Sequence, residues 1–550
     1  MAKQKLPPSK VQDSSDMFDK FDRFIQNKNT FWLIFFTSLT AIFSLLLFDV
    51  KLSTGGDDSS YIIRAYNFHF KNTFPSFQGP LYPMLISFPI GWWGINVPLL
   101  KVFSVFFMVG HVFLFYYTLK DRIPGMILFF STIIISVNAG LLYYASQTYT
   151  EAIYFFTQSL MLFFFFKLLD SQERGEELKQ NFKLWLLLGL MICVNILTKN
   201  VGMGALAAIL GFYIIRLEFK NAGLALASFA LFYGPFELLK KSIWDFGNAQ
   251  IADQGKVFLY KDPYDYSKGT EDFGGYVTRF LDNCSIYLSK HLLHIWNVKP
   301  SDDITMSGGI AFFIVLLMFA AIYFGWKKSK SILFLSIYTL VNLAVIFLVL
   351  QTRWDSERLM LVAVPYITPI ILFVLYRVFK AGGISMLQPL IILILSVLSL
   401  VQVGKTISTS SKNFKALKKN MAGDKYFGYT DDWRNLLLMS EWCAQNLPKE
   451  AYVGSRKGPM SFIYSNGKPF YEIYRVPSDN ADSLVATLAK NKVTHIIHAS
   501  LRANPLMNTG RIITTTNNYL AIIAKKYPEK IKLVHQIGDS EPAYLYEIVK

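Results

Sequence analysis

A polytopic α-helical membrane protein with a soluble α/β domain at its C-terminal end is what this sequence predicts, and three observations predict it. Eleven apolar runs each approach the roughly 20 residues a helix needs to cross a bilayer. The composition is too apolar for a soluble chain: 53% of the 550 residues are hydrophobic, 16% are aromatic, and the mean hydropathy is +0.33. From about residue 406 onward the pattern changes to short segments that alternate between strand and helix periodicity.

The elements follow in chain order. Residues 1–30 form a polar tail with Lys3, Lys5, Lys10, Lys20, Arg23 and Lys28. Within it Met17, Phe18, Phe21, Phe24 and Ile25 share one helical face, which predicts an interfacial helix on the cytoplasmic surface. The first apolar run, Phe31 to Phe48, has no small-residue cleavage site behind it and reads as an uncleaved anchor. Ten further runs lie at about 98–119, 124–140, 150–169, 183–199, 201–216, 221–240, 308–326, 331–350, 358–379 and 385–403.

Charge placement sets the orientation. With the N-terminus in the cytoplasm, Lys120, Arg122, Arg174, Lys179, Arg216, Lys220, Lys327, Lys328, Lys330, Arg377 and Lys380 all fall in cytoplasmic loops. Five successive loops then obey the positive-inside rule. The net charge of +17 reads accordingly as loop lysine and arginine facing anionic lipid, not as a nucleic-acid surface. The three cysteines show no metal-binding spacing. The expected location is the inner or plasma membrane, multi-pass, with the last domain periplasmic or otherwise extracytoplasmic.

Two outer segments are long. Residues 241–306 carry Trp244, Tyr260, Tyr264, Tyr266, Phe273, Tyr276 and Trp296, a composition suited to the headgroup layer or to stacking on sugars. Residues 406–550 begin with a basic linker (Lys412, Lys415, Lys418, Lys419). Helices are then expected near 431–446, 480–491 and 517–527, and strands near 451–456, 469–475, 493–499, 531–537 and 542–549. This domain contains no Gly-rich phosphate loop and no nucleophile arrangement, so acceptor recognition or structural support is its expected role. The division is therefore a tail (1–30), a transmembrane domain (31–405) and an outer α/β domain (406–550).

The chemistry points to the outer face. Gly55-Gly56-Asp57-Asp58 follows the first span, and Gly79-Pro80-Leu81-Tyr82-Pro83 closes the same connection. Glycines let a backbone turn sharply, and a carboxylate there can take a proton from a hydroxyl. Such an acidic loop can also simply cap a membrane helix. Other ionisable groups gather at the same depth: Glu151, Lys199, Arg353, Asp355, Glu357 and Arg358. Singly, each reads as a helix-end charge reaching the headgroups; as a set they read as a site. His111, inside the second run, reads as a packing residue.

The acidic pair, Tyr61 three residues on, and Pro80-Leu81-Tyr82 downstream resemble the first external loop of the GT-C glycosyltransferases. Within that class the likeness is to the protein O-mannosyltransferases and the lipid A aminoarabinose transferases. One departure stands out. Those families place His or Lys before the Pro-Leu-Tyr segment, where this chain has Gln78 and Gly79. The resemblance implies a GT-C fold and transfer of one sugar, with inversion, from a polyprenyl-phosphate donor to a protein, lipid or glycan acceptor on the outer face. It implies Asp57 as the catalytic base and Asp58 as its acidic neighbour, orienting the acceptor or a divalent metal. Lys199, Arg353 and Arg358 are the cations available for the donor phosphate. Tyr61, Arg64, Gln78, Tyr82 and Glu151 are expected to line the substrate pocket. A transporter or flippase of lipid-linked or polar solutes is the alternative, although its ionisable groups would sit nearer the midplane. A non-enzymatic scaffold is the other, and in it Asp57 would be dispensable.

Overall fold

The computed structural model describes residues 16–76, 78–246, 258–262, 268–298, 305–381, 384–503 and 511–549. Residues 1–15 of the basic tail, Tyr264, Tyr266 and the side chain of Arg353 lie outside the described part.

The eleven apolar runs all become helices, with a smaller number of full spans. Eight helices among the described residues are long and apolar enough to cross a membrane. They are α2 (Asn29–Leu46), α5 (Val97–Leu119), α8 (Thr150–Glu173), α9 (Leu178–Thr198), α11 (Phe219–Ile243), α14 (Gly308–Lys328), α15 (Lys330–Val349) and α17 (Gln388–Met421). The run at 124–140 breaks at Asn138 into α6 (Gly125–Val137) and α7 (Ala139–Tyr143), bent by 45°, which gives nine if the pair is one span. The two remaining runs give shorter helices, α10 (Met203–Ile215) and α16 (Val364–Lys380). The start of each of these runs is a 3₁₀ turn, Asn200–Gly202 and Glu357–Leu359.

The tail contains α1 (Met17–Gln26), and its face is more than interfacial. Phe18 and Ile25 are fully buried, and Phe21 stacks on Phe130. Asp22 accepts hydrogen bonds from the backbone N–H of Met126 (2.7 Å) and the Tyr376 hydroxyl (2.6 Å). Gln388 at the start of α17 accepts from the Phe18 N–H, and Lys380 pairs with Asp19. This helix therefore docks on protein, while Met17 and Phe24 stay about half exposed. Lys330 pairs with Glu173 (2.9 Å) and Arg122 with Asp170, joining the basic ends of α5, α8 and α15.

The opposite end of the bundle carries α3 (Asp57–Lys71) and α4 (Leu81–Trp93), where a loop was expected. At this end α17 leaves the bundle and runs on to Met421. Lys412, Lys415, Lys418 and Lys419 are therefore helical, not a linker, and residues 405 and 406 lie inside the helix. An extended helix suits this stretch because it contains neither Gly nor Pro between Thr406 and Met421.

The C-terminal domain, outer only in that it lies beyond the α3–α4 layer, matches the expected elements closely. It consists of α18 (Asp431–Asn446), β1 (Val453–Ser455), α19 (Gly458–Tyr464), β2 (Phe470–Glu472), α20 (Ala481–Lys490), β3 (His495–Ala499), α21 (Thr515–Lys526), β4 (Ile531–Ile537) and β5 (Ala543–Ile548). The helix α19 was not anticipated. The sheet has the order β2-β1-β3-β5-β4, parallel across β2, β1 and β3 and antiparallel across β3, β5 and β4. One buried apolar cluster runs from Tyr61, Ile62, Tyr82 and Ile86 of the outer helices into Trp433, Leu437 and Met460 of this domain. Burial of this kind ties the domain to the bundle through the α3–α4 layer.

Candidate active site

The acidic pair opens α3. Gly56 caps the helix in the left-handed region (φ 87°), so Asp57 and Asp58 occupy its first turn, where the free N–H groups favour negative charge. The two carboxylates then part company. Asp58 is fully buried and accepts from the backbone N–H groups of Ser53 (2.6 Å) and Ser59 (2.7 Å). Burial pushes its carboxyl up to about 6, against the opposing pull of Lys101 and of those two N–H groups. Asp57 keeps 42% of its side chain exposed and faces Arg358 at 2.5 Å.

Arg358 links the pair to the rest of the site. Its Nε donates to Glu151 (2.6 Å), and its guanidinium lies 4.3 Å from the Tyr149 ring centre. Lys199, just past α9, donates to the same Glu151 oxygen (2.7 Å). Glu151 is fully buried at the start of α8, so its charge is matched by two cations, as a buried carboxylate requires. The segment that carries Arg358 is itself clamped. A helix, α12 (Phe273–Ser285), continues through a π-helical turn, Ile286–His291, into α13 (Leu292–Ile295). His291 lies 2.8 Å from Asp355, His294 lies 2.8 Å from Glu357, and Lys290 also pairs with Asp355. Asp355 and Glu357 thus hold the turn while Arg358 points inward.

The second motif packs beside the first. Gly79 sits so close to the end of α9 that a Cβ would lie 2.0 Å from the Thr198 carbonyl oxygen, so no side chain fits there. Gln78, in the left-handed region (φ 54°), accepts from the Tyr61 hydroxyl. Tyr61 and Tyr82 are both buried and meet edge to face at 5.8 Å, locking α3 to α4. Arg64 lies one turn along α3 from Tyr61, 5.9 Å from its ring centre.

Four segments distant in sequence thus bring Asp57, Glu151, Lys199 and Arg358 into one ion-pair network, with Tyr61, Arg64, Gln78 and Tyr82 beside it. The Arg353 backbone lies in the same segment after α15 as Arg358. His111 lies apart, bonded to the Phe155 carbonyl and Ser159, as a packing residue. Two lysines near the pair were not singled out from sequence. Lys101 sits inside an apolar run, and a cation there was a readable signal; it donates to the carbonyl of Asp49 (2.6 Å) and to Gln147 (3.3 Å). Lys457 comes from the outer domain and donates to the Gly55 carbonyl (2.9 Å); nothing in its sequence context marks it.

Both Asp58 oxygens are taken by backbone N–H groups, Asp57 faces a guanidinium, and among the described residues no three His, Cys, Asp or Glu side chains come together.

No protein-family model and no curated protein sequence matches the chain. Solved structures do match its fold. ArnT from Cupriavidus metallidurans bound to undecaprenyl phosphate superposes with a TM-score of 0.57 at 10% identity, covering 94% of this chain and 98% of that one. An oligosaccharyltransferase from Archaeoglobus fulgidus tethered to an acceptor peptide gives 0.52 at 12% identity, covering 94% and 74%. The Archaeoglobus fulgidus AglB in complex with an inhibitory peptide and a dolichol-phosphate gives 0.51 at 13% identity, with the same coverage. The chain therefore has the polytopic fold of these proteins over most of its length.

Proposed function

We propose that this protein transfers one sugar from a polyprenyl-phosphate donor to a hydroxyl on a protein, lipid or glycan acceptor at the outer face of the membrane. The observation that carries this reading is the convergence of Asp57, Glu151, Lys199 and Arg358 at one end of the bundle. The similar folds of a protein holding undecaprenyl phosphate and of one holding dolichol-phosphate support a lipid-linked donor.

The steps balance. Asp57 takes the proton of the acceptor hydroxyl as its oxygen attacks the anomeric carbon. The bond from that carbon to the phosphate oxygen breaks on the opposite side, so the configuration inverts. The leaving group departs as a polyprenyl phosphate, already a good anion, and needs cations more than an acid. Lys199 and Arg358 supply them, with Arg353 on the same segment, and Glu151 holds the first two in place. Asp58 fixes the first turn of α3 so that Asp57 faces outward. Tyr61, Arg64, Gln78 and Tyr82 shape the wall beside it.

Purified protein in liposomes, given a panel of polyprenyl-phosphate-linked hexoses, amino sugars and pentoses, tests this. Release of free polyprenyl phosphate that depends on an acceptor-containing membrane extract supports the reading. Movement of an intact lipid-linked sugar across the bilayer without release favours the flippase instead. Sidedness is tested separately: a cysteine at Ser478 in the outer domain should label from outside the cell, and one at Ser329, at the α1 end of the bundle, should not. The reverse labelling would put the acidic pair in the cytoplasm.

A further inference from the structure

The turn that presents Asp57 is built by two parts of the chain. The membrane part holds its base: Lys101 donates to the Asp49 carbonyl, Asp58 accepts from Ser53, and the Ser53 and Tyr149 hydroxyls lie 2.9 Å apart. The outer domain holds its tip. Tyr429 donates to the Leu52 carbonyl (2.6 Å), and Lys457 donates to the Gly55 carbonyl (2.9 Å). The approach of Lys457 is tight. A Cβ on Gly56 would lie 2.8 Å from the Lys457 ammonium nitrogen, so a side chain there would push the ammonium aside, and the φ of 87° favours glycine on its own.

Lys457 stands just before α19, which packs on α3 through Phe462 and Tyr66 at 5.2 Å. Its ammonium lies 5.5 Å from the Trp433 ring centre. Asp57 and Asp58 face it from α3, Glu472 from β2, and Arg456 beside it opposes them. The conditions for a charged pin are met: a hydrogen bond to the carbonyl two residues before Asp57, and three carboxylates that favour its charge.

We infer that Lys457 is a positioning residue: from the outer domain it fixes the Gly55–Gly56 tip, and with it the aim of Asp57, so that turnover depends on docking of that domain. The first consequence is structural and independent of any substrate. The second rests on the reading of Asp57 as the base. In the resting protein burial pulls the Lys457 ammonium down to about 8, so its charge is lost across an accessible pH range.

Hydrogen exchange of the purified protein in nanodiscs tests the pin without substrate. In Lys457→Met, exchange of the Ser53–Ser60 amides should rise about tenfold or more, the loss expected for one charged hydrogen bond, and Lys457→Arg should restore much of the protection. In wild-type protein the same amides should lose protection, after correction for intrinsic rates, as the pH rises through 8, and in Lys457→Arg they should not. This arm needs no variant lacking the contact. Polyprenyl phosphate release from whichever donor of the panel is active should fall about 10- to 100-fold in Lys457→Met with donor KM little changed, the pattern of a misaimed base. Unchanged exchange in Lys457→Met overturns the pin, and wild-type protection that is flat through pH 8 overturns its dependence on the Lys457 charge. Altered exchange with unchanged release leaves the pin but removes its link to turnover. If no donor in the panel is active in the wild type, the transferase reading fails while the exchange result stands.

Discussion

Three aspartates in and capping α1 and two of α3 sit at opposite ends of one helical bundle, and the protein spends them differently. At the α1 end, Asp16 accepts from Asp19 and Gln388, Asp19 pairs with Lys380, and Asp22 accepts from Met126 and Tyr376. Asp16 and Asp22 have both oxygens matched to donors of α1 itself or of the helices it clamps, while Asp19, 41% exposed, meets the single cation Lys380 with no second carboxylate sharing it among the described residues. At the α3 end, Asp58 is matched the same way, while Asp57 remains 42% exposed beside a guanidinium that it shares with Glu151. A buried carboxylate whose donors are all supplied by the fold is a fastener. A partly exposed one, held by a cation next to further cations, is placed to meet something that arrives.

Asp57→Asn is the sharpest way to break this contrast. It keeps the shape and removes the base, so turnover should fall roughly 10²- to 10⁴-fold, with donor binding little changed. Polyprenyl phosphate release in single-turnover kinetics measures it. Full turnover in this variant on a hydroxyl acceptor would reduce Asp57 to another fastener. Rate against pH adds a check, since a base imposes an acidic limb that should vanish in the variant.

Arg358→Ala comes next. A charged hydrogen bond to phosphate contributes about 1.5–3 kcal/mol, so donor affinity should weaken roughly 10- to 150-fold. Because Glu151 would keep Lys199, the helices should stay assembled. An unchanged donor KM and rate would leave Arg358 as a structural tie between α8 and the segment after α15.

How much of this was legible in the sequence depends on reach along the chain. The apolar runs were visible because hydropathy is local, and so were the strands and helices of the outer domain, whose periodicities are local too. The helix α3 was misread as a loop because Gly55-Gly56 signals a turn, and the turn is real; it is the cap of a helix that starts at Asp57. Glu151, Lys199 and Arg358 could be grouped because the charge rule assigns each helix end to one face of the membrane. Lys457 could not, since it meets Gly55 across 402 residues and no period or side rule links them. The 3₁₀ turns that open α10 and α16 were not legible, because a run of apolar residues looks the same in either helix type.

Asp58 offers a smaller effect with a definite sign. Burial raises its folded carboxyl from about 3.8 to about 6. A raised carboxyl contributes stability that is fully present below the unfolded value and is lost as the pH rises through the folded one. The protein should therefore become less resistant to thermal unfolding between pH 4 and 7, by up to about 3 kcal/mol from this group. The slope should flatten in Asp58→Asn, in which the group no longer titrates. An identical slope in the variant would assign the dependence to other groups.

The smallest expected effect closes the comparison at the α1 end. Asp22→Asn is the same isosteric exchange as Asp57→Asn. The asparagine carbonyl can still accept from the Met126 N–H, and its amide can donate to the Tyr376 oxygen if that hydroxyl turns away. Burial pushes the Asp22 carboxyl up, so losing its charge also removes a desolvation cost. Stability should therefore change by less than about 1 kcal/mol, and turnover should not change. Asp22→Ala is the harsher probe. It strands a buried N–H and a buried hydroxyl and should cost about 1–3 kcal/mol in thermal stability, still without a change in the kcat of the folded protein. If Asp22→Asn lowered turnover as Asp57→Asn is expected to, exposure and partner type would not separate fasteners from chemistry here. If both exchanges were silent, the carboxylates would be structural at both ends of the bundle. Only the asymmetric result, a silent Asp22→Asn and a crippled Asp57→Asn, fits a bundle that is fastened at the α1 end and open for reaction at the α3 end.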